Sequence, residues 1–114
     1  MSAEEKLNEF FVAWQKKDLK ALARTCQLTW IKTYKLGVVT KIETAFLSKD
    51  LLQWRIQKAG RVGKACVDVT ANITYREKGQ KHKAKIRPRL ICETDIYKPD
   101  INGSWGVNSL SVRF

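Results

Sequence analysis

The stretch ACVDVTANITYREKGQKHKAKIRPRL, residues 65–90, decides how this chain is read. Successive side chains of a strand point to opposite faces. Ala65, Val67, Val69, Ala71, Ile73 and Tyr75 therefore share one face, and Cys66, Asp68, Thr70, Asn72 and Thr74 the other. Lys78-Gly79 suits a two-residue turn, which pairs Glu77 with Gln80. The register then follows: Thr74 faces Lys83, Asn72 faces Lys85, Thr70 faces Arg87 and Asp68 faces Arg89. On the other side Ile73 faces Ala84, Ala71 faces Ile86, Val69 faces Pro88 and Val67 faces Leu90. One register sorts both strands into a polar and an apolar face, and a slip by one residue would mix them. Pro88 has no N–H to give, so an edge, a bulge or an unpaired position is expected there.

The polar face of the second strand carries Lys81, Lys83, Lys85, Arg87 and Arg89, a basic residue at every second position. Such a stripe is a solvated face or a contact for an acidic partner, and it is not the equipment of a reaction. Lys98, Arg113, Arg76 and Lys78 extend it, while Asp68, Glu93 and Asp95 share its face and offset it in part. The residues interleaved with the cations point the other way, so no aromatic platform for unpaired bases accompanies the charge.

Outward from the hairpin, the strand pattern continues through Cys92, Thr94 and Ile96. The turn signals of Lys98, Pro99, Asp100, Asn102 and Gly103 follow. A last strand runs from Ser104 to Phe114, with Leu110, Val112 and Phe114 on the apolar face. Their alignment calls for a loop of three or five residues. Toward the N-terminus, Leu52, Trp54 and Ile56 alternate with polar residues as a half-buried strand. Thr40, Lys41, Ile42 and Glu43 form a capping box for a short helix bearing Ile42, Ala45 and Phe46. Thr29, Trp30, Ile31, Thr33 and Tyr34 read as a short strand or an extended segment over 28–35. Ser2 to Glu5 is another capping box, and Leu7, Phe10, Phe11 and Trp14 line one face of a helix over 3–16. Asp18 caps a second helix, with Leu19, Leu22, Ala23 and Cys26, to about residue 27. Helices followed by a meander of antiparallel strands give a two-layer α+β domain spanning 1–114.

The chain has 114 residues, 44% of them hydrophobic, which fits one domain with a real core. Lys and Arg number 22 against 11 Asp and Glu, a formal net charge of +11. That balance raises affinity for nucleic acid, anionic membranes and acidic proteins. The three cysteines, Cys26, Cys66 and Cys92, are odd in number and lack metal-type spacing. They read as small core hydrophobes in a reducing compartment, with a cytoplasmic location expected. No run is apolar enough for a membrane span, and Met1 opens no signal-peptide pattern.

The order of elements resembles the nuclear transport factor two-like superfamily. The stretch Phe10-Phe11-Val12-Ala13-Trp14, then Asp18-Leu19 and Ala21-Leu22, is similar to that family's opening. Asn102-Gly103-Ser104-Trp105-Gly106-Val107-Asn108 is similar to the start of its final strand. The resemblance implies a curved antiparallel sheet wrapped around N-terminal helices as a cone. It implies an apolar pocket lined by Trp14, Trp30, Trp54, Val69 and Ile86, or the same residues filling a core, and it places the basic stripe on the outer sheet face. It also implies a homodimer through that face, and a small apolar ligand in the cone.

Enzymes of this superfamily, such as ketosteroid isomerases and dehydratases, place an Asp or His base in the cone. Here His82 lies by the hairpin turn, and Asp68, Glu93 and Asp95 face away from the apolar side. No phosphate loop, nucleophile elbow or metal-ligand set occurs, so neither cofactor nor metal is called for. The expectation is a non-catalytic binding or assembly domain. The alternatives are a nucleic-acid-associated protein using the outer stripe and a small isomerase- or dehydratase-like enzyme.

Overall fold

The computed structural model describes residues 1–33 and 46–114. Helices α1 (Ala3–Lys16), α2 (Leu19–Arg24) and α3 (Leu28–Thr33) precede six strands. These are β1 (Asp50–Gly63), β2 (Cys66–Glu77), β3 (Gln80–Ile86), β4 (Arg89–Asp95), β5 (Lys98–Pro99) and β6 (Ser104–Asn108). The six form one sheet in the order β1-β2-β4-β5, with β3 on β2 and β6 on β4. All the strand pairings are antiparallel.

Helix α1 starts where its sequence says. Ser2 Oγ accepts from Glu5 N at 3.1 Å and Ser2 N donates to Glu5 Oε1 at 3.3 Å, closing the capping box. Leu7, Phe10, Phe11 and Trp14 are each fully buried against the sheet. Trp14 meets Phe46 edge to face at 5.0 Å between ring centroids. Its indole N–H donates to the carbonyls of Phe46 and Lys49 at 3.0 and 3.1 Å. The buried polar end of this side chain is thus satisfied, as burial requires. Asp18 caps α2 by accepting from Ala21 N at 3.1 Å.

The hairpin keeps the register read from its sequence. Glu77 pairs with Gln80, Thr74 with Lys83, Asn72 with Lys85 and Ala71 with Ile86. Lys78 and Gly79 both take positive φ, 52° and 78°, which a two-residue turn of matching twist needs. Pro88 causes no bulge. The ladder lapses after Ala71 and Ile86 and resumes in the same register at Asp68 and Arg89. Across the gap Val69 N still donates to Pro88 O at 2.9 Å, so only the bond that proline cannot donate is lost. The bulges fall on β1 instead, between Leu51 and Gln53, Ile56 and Lys58, and Arg61 and Gly63.

Four expectations are corrected. Residues 28–33 are helical, not a strand. Their β-branched content is outweighed by the Glu93 carboxylate, which reaches from β4 to accept from Thr29 N at 3.0 Å at the start of α3. Helix α2 stops at Arg24 rather than near 27. The next residues are drawn onto β6: Val107 N donates to Thr25 O at 2.7 Å and Gln27 N to Val107 O at 3.1 Å. Gly106 permits that approach, since a Cβ there would lie 2.3 Å from Gln27 Cα.

Strand β4 ends at Asp95, before Ile96, and β5 folds back on it, pairing Asp95 with Lys98. The link to β6 is therefore the whole stretch 94–103, not a short odd loop. Finally, the last strand ends at Asn108, whose side chain accepts from Leu110 N at 3.1 Å and opens a 3₁₀ turn, Ser109–Ser111. Leu110 is exposed and Val112 buried, while the half-exposed Phe114 sets its ring edge against Trp14 at 5.5 Å. The short helix expected from the 40–43 capping box lies outside the described residues except for Phe46, which is buried.

Candidate functional site

The outer face of β1, β2 and β3 is built row by row from the register. Gln53 lies beside Thr74 and Thr74 beside Lys83; Arg55 lies beside Asn72 and Asn72 beside Lys85. Lys58 lies beside Thr70 in the next row, and Arg87 projects beyond it. The result is a floor of hydroxyl and amide groups on β2 with a cationic rim on each side. Neighbouring strands lie ~4.8 Å apart, so the rims are roughly 10 Å apart. Gln53, Arg55, Asn72, Thr74, Lys83 and Lys85 border a depression of about 480 Å³, which also touches Trp54, Ile73 and Ala84.

Lys81, Lys83, Lys85, Arg87 and Arg89 are all exposed, with His82 and Ala84 half-buried and Ile86 and Pro88 buried between them. The alternation read from the sequence is therefore that of the folded hairpin. Arg55 and Lys58 were missed by sequence reading. They stand three apart and ought to face opposite sides of a regular strand. The bulge between Ile56 and Lys58 shifts the parity and brings both onto one rim. The signal available in the sequence was the acid-free run 51–63 that follows Asp50 in β1 and holds Arg55, Lys58 and Arg61.

Of the acids expected to offset the stripe, Asp68 does so at one end. Arg89 clasps Asp68 through Nε at 2.8 Å and its terminal nitrogen at 3.2 Å. That bidentate bond holds the Asp68 carboxyl below its ordinary value. Glu93, expected on an open face, is 2% exposed beneath α3. There it accepts from Thr29 N, the Thr29 hydroxyl and Gln27 Nε2, and Thr29 Oγ1 in turn accepts from Tyr97 N at 2.8 Å. Asp50 pairs with Lys17 at 2.5 Å and Glu77 with Lys49 at 3.2 Å. Among the described residues Arg55, Lys58, Lys83, Lys85 and Arg87 have no ion pair.

The pocket-lining candidates lie elsewhere. Trp14, Val69 and Ile86 are 0–2% exposed inside the core. Trp54 is half-buried against Phe11, with its indole N–H on Asn8 Oδ1 at 2.9 Å. Trp30 falls in α3, and its side chain is outside the described set. A groove of about 500 Å³ between α1 and α2 mixes Lys6, Lys16 and Arg24 with Glu9 and Asp18, so its charges largely cancel. Cys26, Cys66 and Cys92 are free thiols, and burial pushes Cys26 up to about 12, leaving it unreactive. Among the described residues no helix is long and apolar enough to cross a membrane.

A search of solved structures places this architecture. A SEC-C motif-containing protein from Psychrobacter arcticus superposes with a TM-score of 0.71 at 13% identity, over 99% of this chain and 62% of that one. The chain thus spans less than two thirds of that neighbour. A ketosteroid isomerase-like protein from Erwinia carotovora atroseptica superposes with a TM-score of 0.60 at 12% identity, over 91% of this chain and 86% of that one. The fold is nuclear transport factor two-like. Its sheet remains open rather than closing into a barrel. No protein-family model and no curated protein matches the sequence.

Proposed function

We propose that this domain is a non-catalytic binding module that docks an anionic macromolecule on its outer sheet face. The observation that carries the reading is the two-rimmed cationic floor, where Arg55, Lys58, Lys83 and Lys85 form no ion pair among the described residues and Arg87 stands near Asp68 without bonding it. The interior supports it from the other side. Trp14, Phe10, Phe11 and Phe46 are fully buried and pack ring against ring as core among the described residues. Of the polar groups buried among the described residues, the Thr25 hydroxyl donates to Leu22 O and Glu93 accepts from Thr29 N, while Gln27 reaches Glu93 through Nε2 and leaves its Oε1 without a partner. A second copy meeting this face would oppose like charges, which favours a partner of opposite sign.

The test is retention on immobilised heparin, a generic polyanion. Wild-type protein should elute at elevated salt. The triple variant Lys83→Gln, Lys85→Gln, Arg87→Gln should elute at clearly lower salt with an unchanged thermal midpoint. Equal retention of the two proteins would refute the reading.

A further inference from the structure

We infer that the partner is nucleic acid, held by one sugar–phosphate backbone strand lying along the β2 floor between the two rims; this rests on the binding function proposed above. Cations on alternate residues of β3 repeat at roughly 6.8 Å, since a strand advances ~3.4 Å per residue. Lys81, Lys83 and Lys85 thus form a linear array of positive charge on one rim, with Arg87 just past the end of β3. Arg55 and Lys58 face it across the floor. A linear anion contacted from both sides fits this arrangement.

The floor separates nucleic acid from an acidic protein. Protein interfaces are anchored by apolar and aromatic groups at a centre depleted of charge. Here the centre is Thr70, Asn72 and Thr74, with charge at both rims. Hydroxyls, amides, Lys and Arg are the groups that contact phosphates and sugars without reading sequence. The aromatic side chains of these strands, Trp54, Tyr75 and His82, alternate toward the other face. Tyr75 and His82 are stacked on each other there, 5.1 Å between centroids. Among the described residues no base-stacking platform flanks the floor, so a duplex, with its denser charge, is favoured over an unpaired strand.

The experiment titrates the protein into a labelled random-sequence DNA duplex and the matching single strand across a salt series, with poly-glutamate as a competitor. If Arg55, Lys58, Lys81, Lys83, Lys85 and Arg87 each neutralise one phosphate, log Kd against log salt has a slope of magnitude about 5. Affinity then falls about 1,000-fold between 50 and 200 mM salt. Arg55→Gln with Lys58→Gln should lower the slope by about 2, and the β3 triple variant by about 3. Asp68→Asn frees Arg89 and should raise it by up to about 1, a gain that a misfolded protein could not show.

Tighter binding of poly-glutamate than of the duplex, abolished by the same variants, would overturn the nucleic-acid assignment and leave the binding face standing. Absence of both, even at 50 mM salt, would overturn both. A slope indifferent to Arg55 and Lys58 would refute the two-rimmed geometry.

Discussion

Glu93→Ala probes the buried carboxylate on which α3 rests. Its oxygens accept from Thr29 N at 3.0 Å, from Gln27 Nε2 at 3.4 Å and from the Thr29 hydroxyl, all at a site 2% exposed. Removing it strands a helix-start N–H, a hydroxyl and an amide donor. A hydrogen bond to a charged group contributes about 1.5–3 kcal/mol, and loss of a cap about 1 kcal/mol. The 3.4 Å contact is long and water can enter a vacated polar site, so the sum is less than the parts: about 3 kcal/mol. For a domain of this size each kcal/mol moves the midpoint by about 4 °C, which gives a fall of about 12 °C. The assay is thermal denaturation by circular dichroism, with hydrogen exchange at α3 amides as the local readout. Were Glu93 a solvated acid opposing the basic stripe, the same change would leave the midpoint alone and tighten polyanion binding. A loss below about 1 kcal/mol, or α3 amides no faster than the rest, would refute the capping argument.

Gly106→Ala should destabilise the domain by about 3 kcal/mol or more, because its Cβ would meet Gln27 Cα at 2.3 Å and Cys26 O at 2.6 Å and part the chain from β6. Gly63→Ala, with nothing within 4 Å of the added carbon, should fall within about 0.5 kcal/mol of wild type in the same urea titration. Asp68, Asp50 and Glu77 are held below their ordinary values by Arg89, Lys17 and Lys49 respectively. Depressed carboxyls give stability that is present above their unfolded values near pH 4 and lost as pH falls through the lower folded ones. The midpoint should therefore decline from about pH 4 downward, and Asp68→Asn should flatten that decline; a profile unchanged by the substitution would contradict it.

The local pattern of the sequence was enough for the elements that carry their own instructions. The Ser2 capping box, the face of Leu7, Phe10, Phe11 and Trp14, and the hairpin register from Glu77 and Gln80 are set by neighbours in the chain, and each is found in place. Even the interruption at Pro88 was legible, because the missing N–H is a property of the residue itself. What the tertiary structure decided are the features whose causes lie far away in sequence. Residues 28–33 are a helix because Glu93 supplies an acceptor from β4, and residues 25–27 leave α2 because Gly106 lets them reach β6. The candidate site divides the same way. The β3 rim is plain in the alternation of residues 81–89, whereas the β1 rim exists because a bulge brings Arg55 and Lys58 to one face. Sequence periodicity reports which face a side chain takes only while the backbone stays regular. Bulges and caps from distant elements are chosen by packing and by hydrogen bonds that form only when the sheet is assembled.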